Sequence, residues 1–461
     1  MKYIAFNIVV LIACAGCSDL KTPLAGDAAA GESASVHLSP ADEGYWRADF
    51  TWEQPVTELD FVRGSNKRRP DRLRVVDDEF EIFSTDERDA IRRRDGGEFN
   101  AVSILEPTSI ENPPAGYLPF AQYGDGGLLL HTGRFHACTG ECPLDDNQDD
   151  GPWRITIDPG DGKRMILNSV IRKGSASFGD SADGTKVYIG DGDIIDGPSL
   201  LAVVDTALPS AVVSSLDDLF PPLMDYFGDR LGALNEKQML FASYNVPGDL
   251  DGFSVKGGVL PNQVFIHFEG AQMPELSSGE DFPSFLAWFF AHEASHLYQN
   301  LGSARYEEFD SWIHEGSADA FTYLSLQSLE AAPAEYLATR LDQAKEGCAS
   351  ALTDGNLHSA LERDQPFQAF YDCGLIIHLT ADAALRQSSD GDLFTVWTDF
   401  ERRVANGSPW NTATYLDVVR EKGGRAAADF IETLVTQQIN DPSTFLTTGL
   451  IESGVLGTIT D

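Results

Sequence analysis

The stretch that most constrains this chain is Ala291-His292-Glu293-Ala294-Ser295-His296, followed after a short connection by Trp312-Ile313-His314-Glu315-Gly316-Ser317-Ala318-Asp319. On an α-helix His292 and His296 stand one turn apart, so both imidazoles leave one face and reach a single metal ion. Glu293 then lies beside the metal, where its carboxylate can accept a proton from a metal-bound water of lowered pKa. A catalytic zinc usually takes a third protein ligand, and Glu315 is the natural candidate. Gly302 and Ser303 can end the first helix, and the stretch from Phe309 to Gln327 reads as a second. Asp319 follows Glu315 by one turn. It would accept a hydrogen bond from the second ring nitrogen of a ligand histidine and fix its tautomer. The expectation is one Zn2+ per chain.

Eighteen residues separate His296 from Glu315, and the pattern H-E-x-x-H followed by E-x-x-x-D resembles that of the gluzincin metallopeptidases. The phrase from Trp312 to Ala318 is closer to the W-L-x-E-G-x-A phrase of the aminopeptidase N branch and its glycyl aminopeptidase relatives than to thermolysin. The resemblance implies zinc held by His292, His296 and Glu315, with Glu293 as general base, and a peptide or protein as substrate. Tyr371-Asp372-Cys373-Gly374 resembles the Y-x-K-G phrase that supplies the transition-state tyrosine, with Cys373 in place of Lys. On that likeness the Tyr371 phenol donates a hydrogen bond to the oxyanion; the alternative is a tyrosine packed at a helix start. His314 stands where those families often have Asn, as an outer hydrogen-bond donor, a substrate contact, or a histidine with no role. Gly257-Gly258-Val259-Leu260-Pro261 sits where the branch has G-x-M-E-N. The Glu that holds the substrate's free amine there is Leu260 here, which leaves aminopeptidase against endopeptidase action open.

Length and charge narrow the setting. At 461 residues the chain is long enough for two to three domains, and 42% hydrophobic residues make it globular. Its 72 acidic against 33 basic side chains give a formal charge of −39, a surface that repels nucleic acid and anionic lipid head groups. Lys2 and the apolar run from Ile4 to Ala13 precede Cys14-Ala15-Gly16-Cys17-Ser18, too short to span a bilayer but right for an export signal. The end of this run resembles a bacterial lipobox with Cys17 as the lipidated residue; Leu11-Ile12-Ala13-Cys14 is a second match. Anchoring at Cys17 leaves Cys138, Cys142, Cys348 and Cys373, an even set able to pair outside the cytoplasm, whereas anchoring at Cys14 strands Cys17. The expected location is the bacterial cell envelope, facing the periplasm or exterior, with membrane contact only through the lipid.

The expected class is α+β: signal peptide 1–17, flexible tether 18–42, antiparallel β-rich N-terminal domain 43–207, thermolysin-like α+β catalytic domain 208–330 and helical C-terminal domain 331–461. Trp46, Ala48, Phe50 and Trp52 alternate with polar residues at the period of a half-buried strand, and similar runs follow at 73–84, 98–105, 128–135, 153–157, 164–167, 186–189 and 200–204. His131, His136, Cys138 and Cys142 admit a metal knuckle, but a Cys138–Cys142 disulfide is the better reading in an exported chain. Asp145 to Gly151 suggests a calcium loop, yet lacks the closing Glu, so a solvated turn is preferred. The basic clusters 67–69 and 92–94 read as exposed loop or helix faces.

Helix is expected from Ser214 to Leu231, and strands at 238–244 and 263–269. The second would be an edge strand beside the zinc, open to an extended substrate. Asp281 and Pro283 suit the start of the metal helix. From Ala331 to Val435 the chain reads as helices broken at Gly347, Gly355, Gly391, Gly407 and Gly423-Gly424. Cys348 with Cys373 is one of three pairings of the four cysteines. His37, His358 and His378 read as structural. A non-catalytic binding lipoprotein on a peptidase-like fold, or a zinc hydrolase with a non-peptide substrate, stands as the alternative.

Overall fold

Alternation governs the first half of the chain. In a computed structural model, which describes residues 33–64, 69–85, 88–109, 119–140, 153–197, 200–246, 252–299, 306–359, 366–388 and 391–456, the run from Trp46 to Trp52 buries every second side chain. Cys17, Cys142 and the 145–151 acidic run lie outside the described residues, as do Lys67, Arg68, Gly302 and Ser303. The described chain forms two compact units. One is built from the chain up to Ser210 with Glu236–Ser278, the other from Ala211–Asn235 with Gly279 onward. The segment 208–330 is therefore shared between them.

The first unit holds four sheets among the described residues. Six strands, β1 (Ser35–Pro40), β2 (Tyr45–Val56), β4 (Arg74–Val75), β7 (Phe99–Pro107), β11 (Trp153–Ile157) and β14 (Ala176–Asp180), make a sheet in the order β14-β11-β1-β2-β7-β4. A second sheet runs β10-β3-β6-β5, from β3 (Glu58–Phe61), β5 (Phe80–Ser84), β6 (Asp89–Arg93) and β10 (Ala137–Cys138). The third, β13-β12-β15-β9-β8, uses β8 (Phe120–Gln122), β9 (Leu128–His131), β12 (Arg164–Leu167), β13 (Val170–Lys173) and β15 (Lys186–Gly190). The fourth, β16-β17-β18-β20-β19, uses β16 (Ile194–Asp196), β17 (Leu200–Val204), β18 (Gln238–Asn245), β19 (Ser254–Leu260) and β20 (Gln263–Glu269). Its β17, β18 and β20 run parallel, with β19 antiparallel at the edge.

The second unit is helical, with α2 (Ser210–Leu231), α4 (Phe282–His296), α5 (Trp312–Ser328), α6 (Ala334–Ala351), α7 (Pro366–Ser388), α8 (Leu393–Ala405), α9 (Thr412–Lys422), α10 (Arg425–Thr436) and α11 (Pro442–Glu452). Two short helices, α1 (Arg69–Arg72) and α3 (Met273–Leu276), belong to the first. In α4 every residue from Leu286 to His296 is buried, as its near-uniform apolarity requires. Helices α5 and α7 cross at Gly316 and Gly374. A Cβ on Gly316 would stand 2.3 Å from the Gly374 Cα, so the two backbones touch with no side chain between them.

Several expectations change. Ser35–Pro40, assigned to the tether on its composition, is strand β1, because Val36 and Leu38 alternate with exposed Ser35 and His37. Gln263–Glu269 lies between β18 and β19, and the edge strand is Ser254–Leu260, whose Gly257-Gly258 pair hid it from propensity. There Gly258 is needed, since a Cβ would stand 2.6 Å from the Phe265 ring. Gly347 does not break α6: its bare backbone makes room for the Asp372 side chain. Asp281 precedes α4 without a side-chain cap hydrogen bond, while Pro283 holds the first turn. Arg69 is buried and paired with Asp89 at 2.9 Å, and Arg92 and Arg93 belong to β6.

Candidate functional site

The site is built on α4 and α5. One helical turn sets the His292 and His296 rings 4.7 Å apart, centroid to centroid. Their Nε2 atoms approach to 3.0 Å, and Oε2 of Glu315 lies 3.5 Å from the first and 3.4 Å from the second. These three atoms form the triad expected from sequence, and among the described residues theirs is the one group able to hold a metal ion. A tetrahedral ion with ligands at about 2.0–2.2 Å has ligand–ligand edges of roughly 3.3–3.5 Å. The two edges to Glu315 fit it, and the 3.0 Å edge between the histidines is about 0.3 Å short of it. The donor set, two imidazole nitrogens and a carboxylate, is one that zinc takes.

Each ligand has an outer partner. Asp319 Oδ1 accepts from His292 Nδ1–H at 2.8 Å, which leaves the lone pair on Nε2 facing the triad. For His296 that task falls to Gln299, fully buried, whose Oε1 accepts from Nδ1–H at 2.6 Å. Its Nε2 donates to the His314 carbonyl at 2.6 Å and to Ser317 Oγ at 2.8 Å, so Gln299 ties the end of α4 to α5. The sequence reading missed Gln299. The signal was its position three residues after His296, in a stretch read only as the helix end. His314 Nε2 stands 3.2 Å from Glu315 Oε1, and its ring packs against the touching pair Tyr306 and Trp410.

Glu293 is buried, and neither of its carboxylate oxygens has a hydrogen-bond partner. Unpaired buried acceptors are costly, so their persistence beside the triad marks a place for an exchangeable proton or water. Burial pushes the Glu293 carboxyl up to about 7, opposed by His292 and His296. His292 moves the other way from what burial alone would give: its hydrogen bonds to Asp319 and Glu315 raise it to about 10. Glu315 is held well below the usual range despite burial, by His314, His292 and His296. A metal ion competes for the same lone pairs as these protons.

Tyr371 lies inside α7, which starts at Pro366, and its ring centroid is 5.7 Å from that of His292. The Gly316–Gly374 crossing sets this distance, because Tyr371 is three residues from Gly374 and Glu315 adjoins Gly316. Cys348 and Cys373 are joined by a disulfide with Cα atoms 4.7 Å apart, linking α6 to α7 two residues from Tyr371.

Other sequence candidates lie elsewhere. His131 Nε2 meets the Asp183 carbonyl, and His136 bonds to Asp180 while stacking on Trp153. Cys138 is buried near them, and Cys142 falls outside the described residues. His37 is exposed, and His378 is fixed by Tyr415 at 2.7 Å. Leu260 ends β19 in the first unit.

No protein-family model matches the chain, and no curated protein matches it by sequence. Solved structures do match. An aminopeptidase N family protein from Idiomarina loihiensis superposes with a TM-score of 0.60 at 13% identity, over 88% of this chain and 76% of that one. A variant M1 zinc metallopeptidase from Deinococcus radiodurans, bound to a Tyr-Ser-Ala substrate, gives 0.51 at 14% identity, over 91% and 97%. Native yeast LTA4 hydrolase gives 0.52 at 12% identity, over 89% and 68%. The chain has the fold of these proteins: N-terminal β-sheets followed by a helical C-terminal region.

Proposed function

We propose that the protein is a zinc-dependent metallopeptidase that hydrolyses peptide bonds. The observation that carries this is the convergence of His292 Nε2, His296 Nε2 and Glu315 Oε2 at 3.0–3.5 Å, with the unpartnered carboxylate of Glu293 next to them. Zinc bound by those three residues supplies Lewis acidity, lowering the pKa of a water and polarising a scissile carbonyl. Glu293 takes the water's proton and returns it to the leaving amine; a carboxyl raised towards neutrality suits both transfers. Asp319 and Gln299 hold the two imidazoles in the tautomer that leaves each Nε2 lone pair free. Tyr371 is the donor to the oxyanion of the tetrahedral intermediate.

The peptide substrate is supported by the likeness to the Deinococcus metallopeptidase, which was caught with Tyr-Ser-Ala. Leu260 offers no carboxylate to a free amine, so this reading requires none of the substrate. Export and lipid anchoring at Cys17 complete the proposal and rest on the N-terminal sequence alone. The test is zinc content by mass spectrometry for the soluble chain after Cys17 and for His292→Ala, followed by a peptide-library assay with Glu293→Gln. About one zinc per chain, lost in His292→Ala, with cleavage lost in Glu293→Gln, is the expected outcome. A parent that holds no zinc after loading and removal of the excess refutes it.

A further inference from the structure

The third and fourth sheets of the first unit face each other across an apolar layer that includes Leu129, Tyr188, Phe241 and Phe265. Side chains two apart on a strand share a face, so the strand register identifies the residues one step beyond the layer. On the fourth sheet it continues into Ser243, opposite His267, which is opposite Lys256. On the third it continues into His131, opposite Lys186. The apolar layer therefore ends in basic groups. They are buried: Lys186 and His267 retain 3% exposure each.

Their partners are few. Lys256 is taken by Glu269 at 2.7 Å, and His131 Nε2 by the Asp183 carbonyl at 3.0 Å. His267 Nδ1 meets Ser243 Oγ at 2.7 Å, while its Nε2, the ring nitrogen farther from its own strand, is buried with no hydrogen bond. Lys186 is clipped over β20 through its backbone, exchanging hydrogen bonds of 2.8 and 2.9 Å with the Gln263 amide. Its ammonium then lies 4.2 Å from the centre of the Phe265 ring, and among the described residues no carboxylate stands within ion-pair distance of it. Burial, with the positive charge of Arg134 nearby, pushes the Lys186 ammonium down to about 7, so a bound anion would be what keeps it protonated at neutral pH.

A buried ammonium with no counter-charge is costly, and so is an orphaned ring nitrogen beside it. In a chain with 72 acidic and 33 basic side chains, a protein carboxylate would be the easy remedy, yet Glu269 is already engaged by Lys256. We propose that this basic end of the layer binds one small monovalent anion, chloride or a short carboxylate, between the Lys186 ammonium and the Nε2–H of His267. The site requires the tautomer in which the Ser243 hydroxyl donates to His267 Nδ1, 2.7 Å away, and the ring proton sits on Nε2 as the second donor. The size class follows from the burial of both donors, and the charge from the Lys186 ammonium. The inference lies in the unit that does not carry the metal triad, and it stands or falls apart from the peptidase reading.

The test is thermal melting of the purified parent and of Lys186→Met at constant ionic strength, with chloride or acetate replacing gluconate, a much larger anion. The expected result is a melting temperature that rises with the logarithm of chloride or acetate concentration, by roughly 3–5 °C per tenfold, in the parent but not in Lys186→Met. A response to chloride alone selects the halide, and a response to acetate selects the carboxylate. Equal responses in both proteins, or none in the parent, overturn the proposal. Should Lys186→Met not fold, bromide-soaked crystals of the parent decide: anomalous density between Lys186 and His267 supports the site, and its absence where surface bromides are seen removes it.

Discussion

Replacing Gln299 with Leu is the sharpest probe of the metal centre, because the Gln299 side chain bonds to a ligand histidine and joins the two helices that carry the ligands. Leucine is of similar size and suits a fully buried position. The change deletes three hydrogen bonds of 2.6–2.8 Å and leaves the His314 carbonyl without its Gln299 donor. Outer-partner losses of this kind weaken metal binding about 10–100-fold, or roughly 1.4–2.8 kcal/mol. The metal-free protein should lose about 2–4 kcal/mol of stability as well, from the buried groups left unpaired. Gln299→Glu separates the two effects: it still accepts from His296 but no longer donates to the His314 carbonyl, so it should recover zinc affinity more than stability. The assay is competition for zinc against a chelator of known affinity, run beside urea melts of the metal-free proteins. Unchanged zinc affinity in Gln299→Leu would refute the idea that this residue orients His296.

Two further expectations concern the frame of the site. Burial, reinforced by Asp319 against Gln368 and Arg340, pushes the Asp372 carboxyl from an ordinary 3.8 up to about 7, so the bound proton favours the folded state. That stability is complete below about 3.8 and lost as pH rises through 7; Asp372→Asn should match the parent near pH 4 and exceed it at pH 8 by on the order of 2 kcal/mol, and an equal gain at both would count against this account. Gly374→Ala would place a Cβ 2.4 Å from the Gly316 Cα and 2.9 Å from the Trp312 carbonyl, costing about 3 kcal/mol or more in urea melts. Gly228→Ala, in α2 with nothing nearer than 3.7 Å, should instead gain about 0.5–1 kcal/mol.

The metal ligands were legible because helix geometry converts a spacing of four directly into a shared face, and α5 then had one acidic residue at the right distance. Strands with strict alternation, such as Trp153–Ile157 and the run from Trp46 to Trp52, were legible for a similar reason. What failed depended on groups far apart in sequence. The Ser254–Leu260 strand reads as a glycine turn until Phe265 is seen filling the space over Gly258. Gly347 looks like a helix break until Asp372, 25 residues on, is seen to occupy its missing side chain. Gln299 is invisible for the same reason, since two of its three partners lie on the next helix. The Gly316–Gly374 crossing needed two helices at once, and no single stretch of chain declares it.

The Cys348–Cys373 bond changes what a cut in this protein would do. The chain between α6 and α7 is closed into a covalent ring by that bond, and Tyr371 lies within the ring two residues from its end. Cleavage of the connection between those helices would therefore leave one molecule, with the tyrosine helix still fastened to α6 and still crossing α5 at Gly374. The backbone can lose its continuity there while the site stays assembled. On a denaturing gel such a nick would show only after reduction.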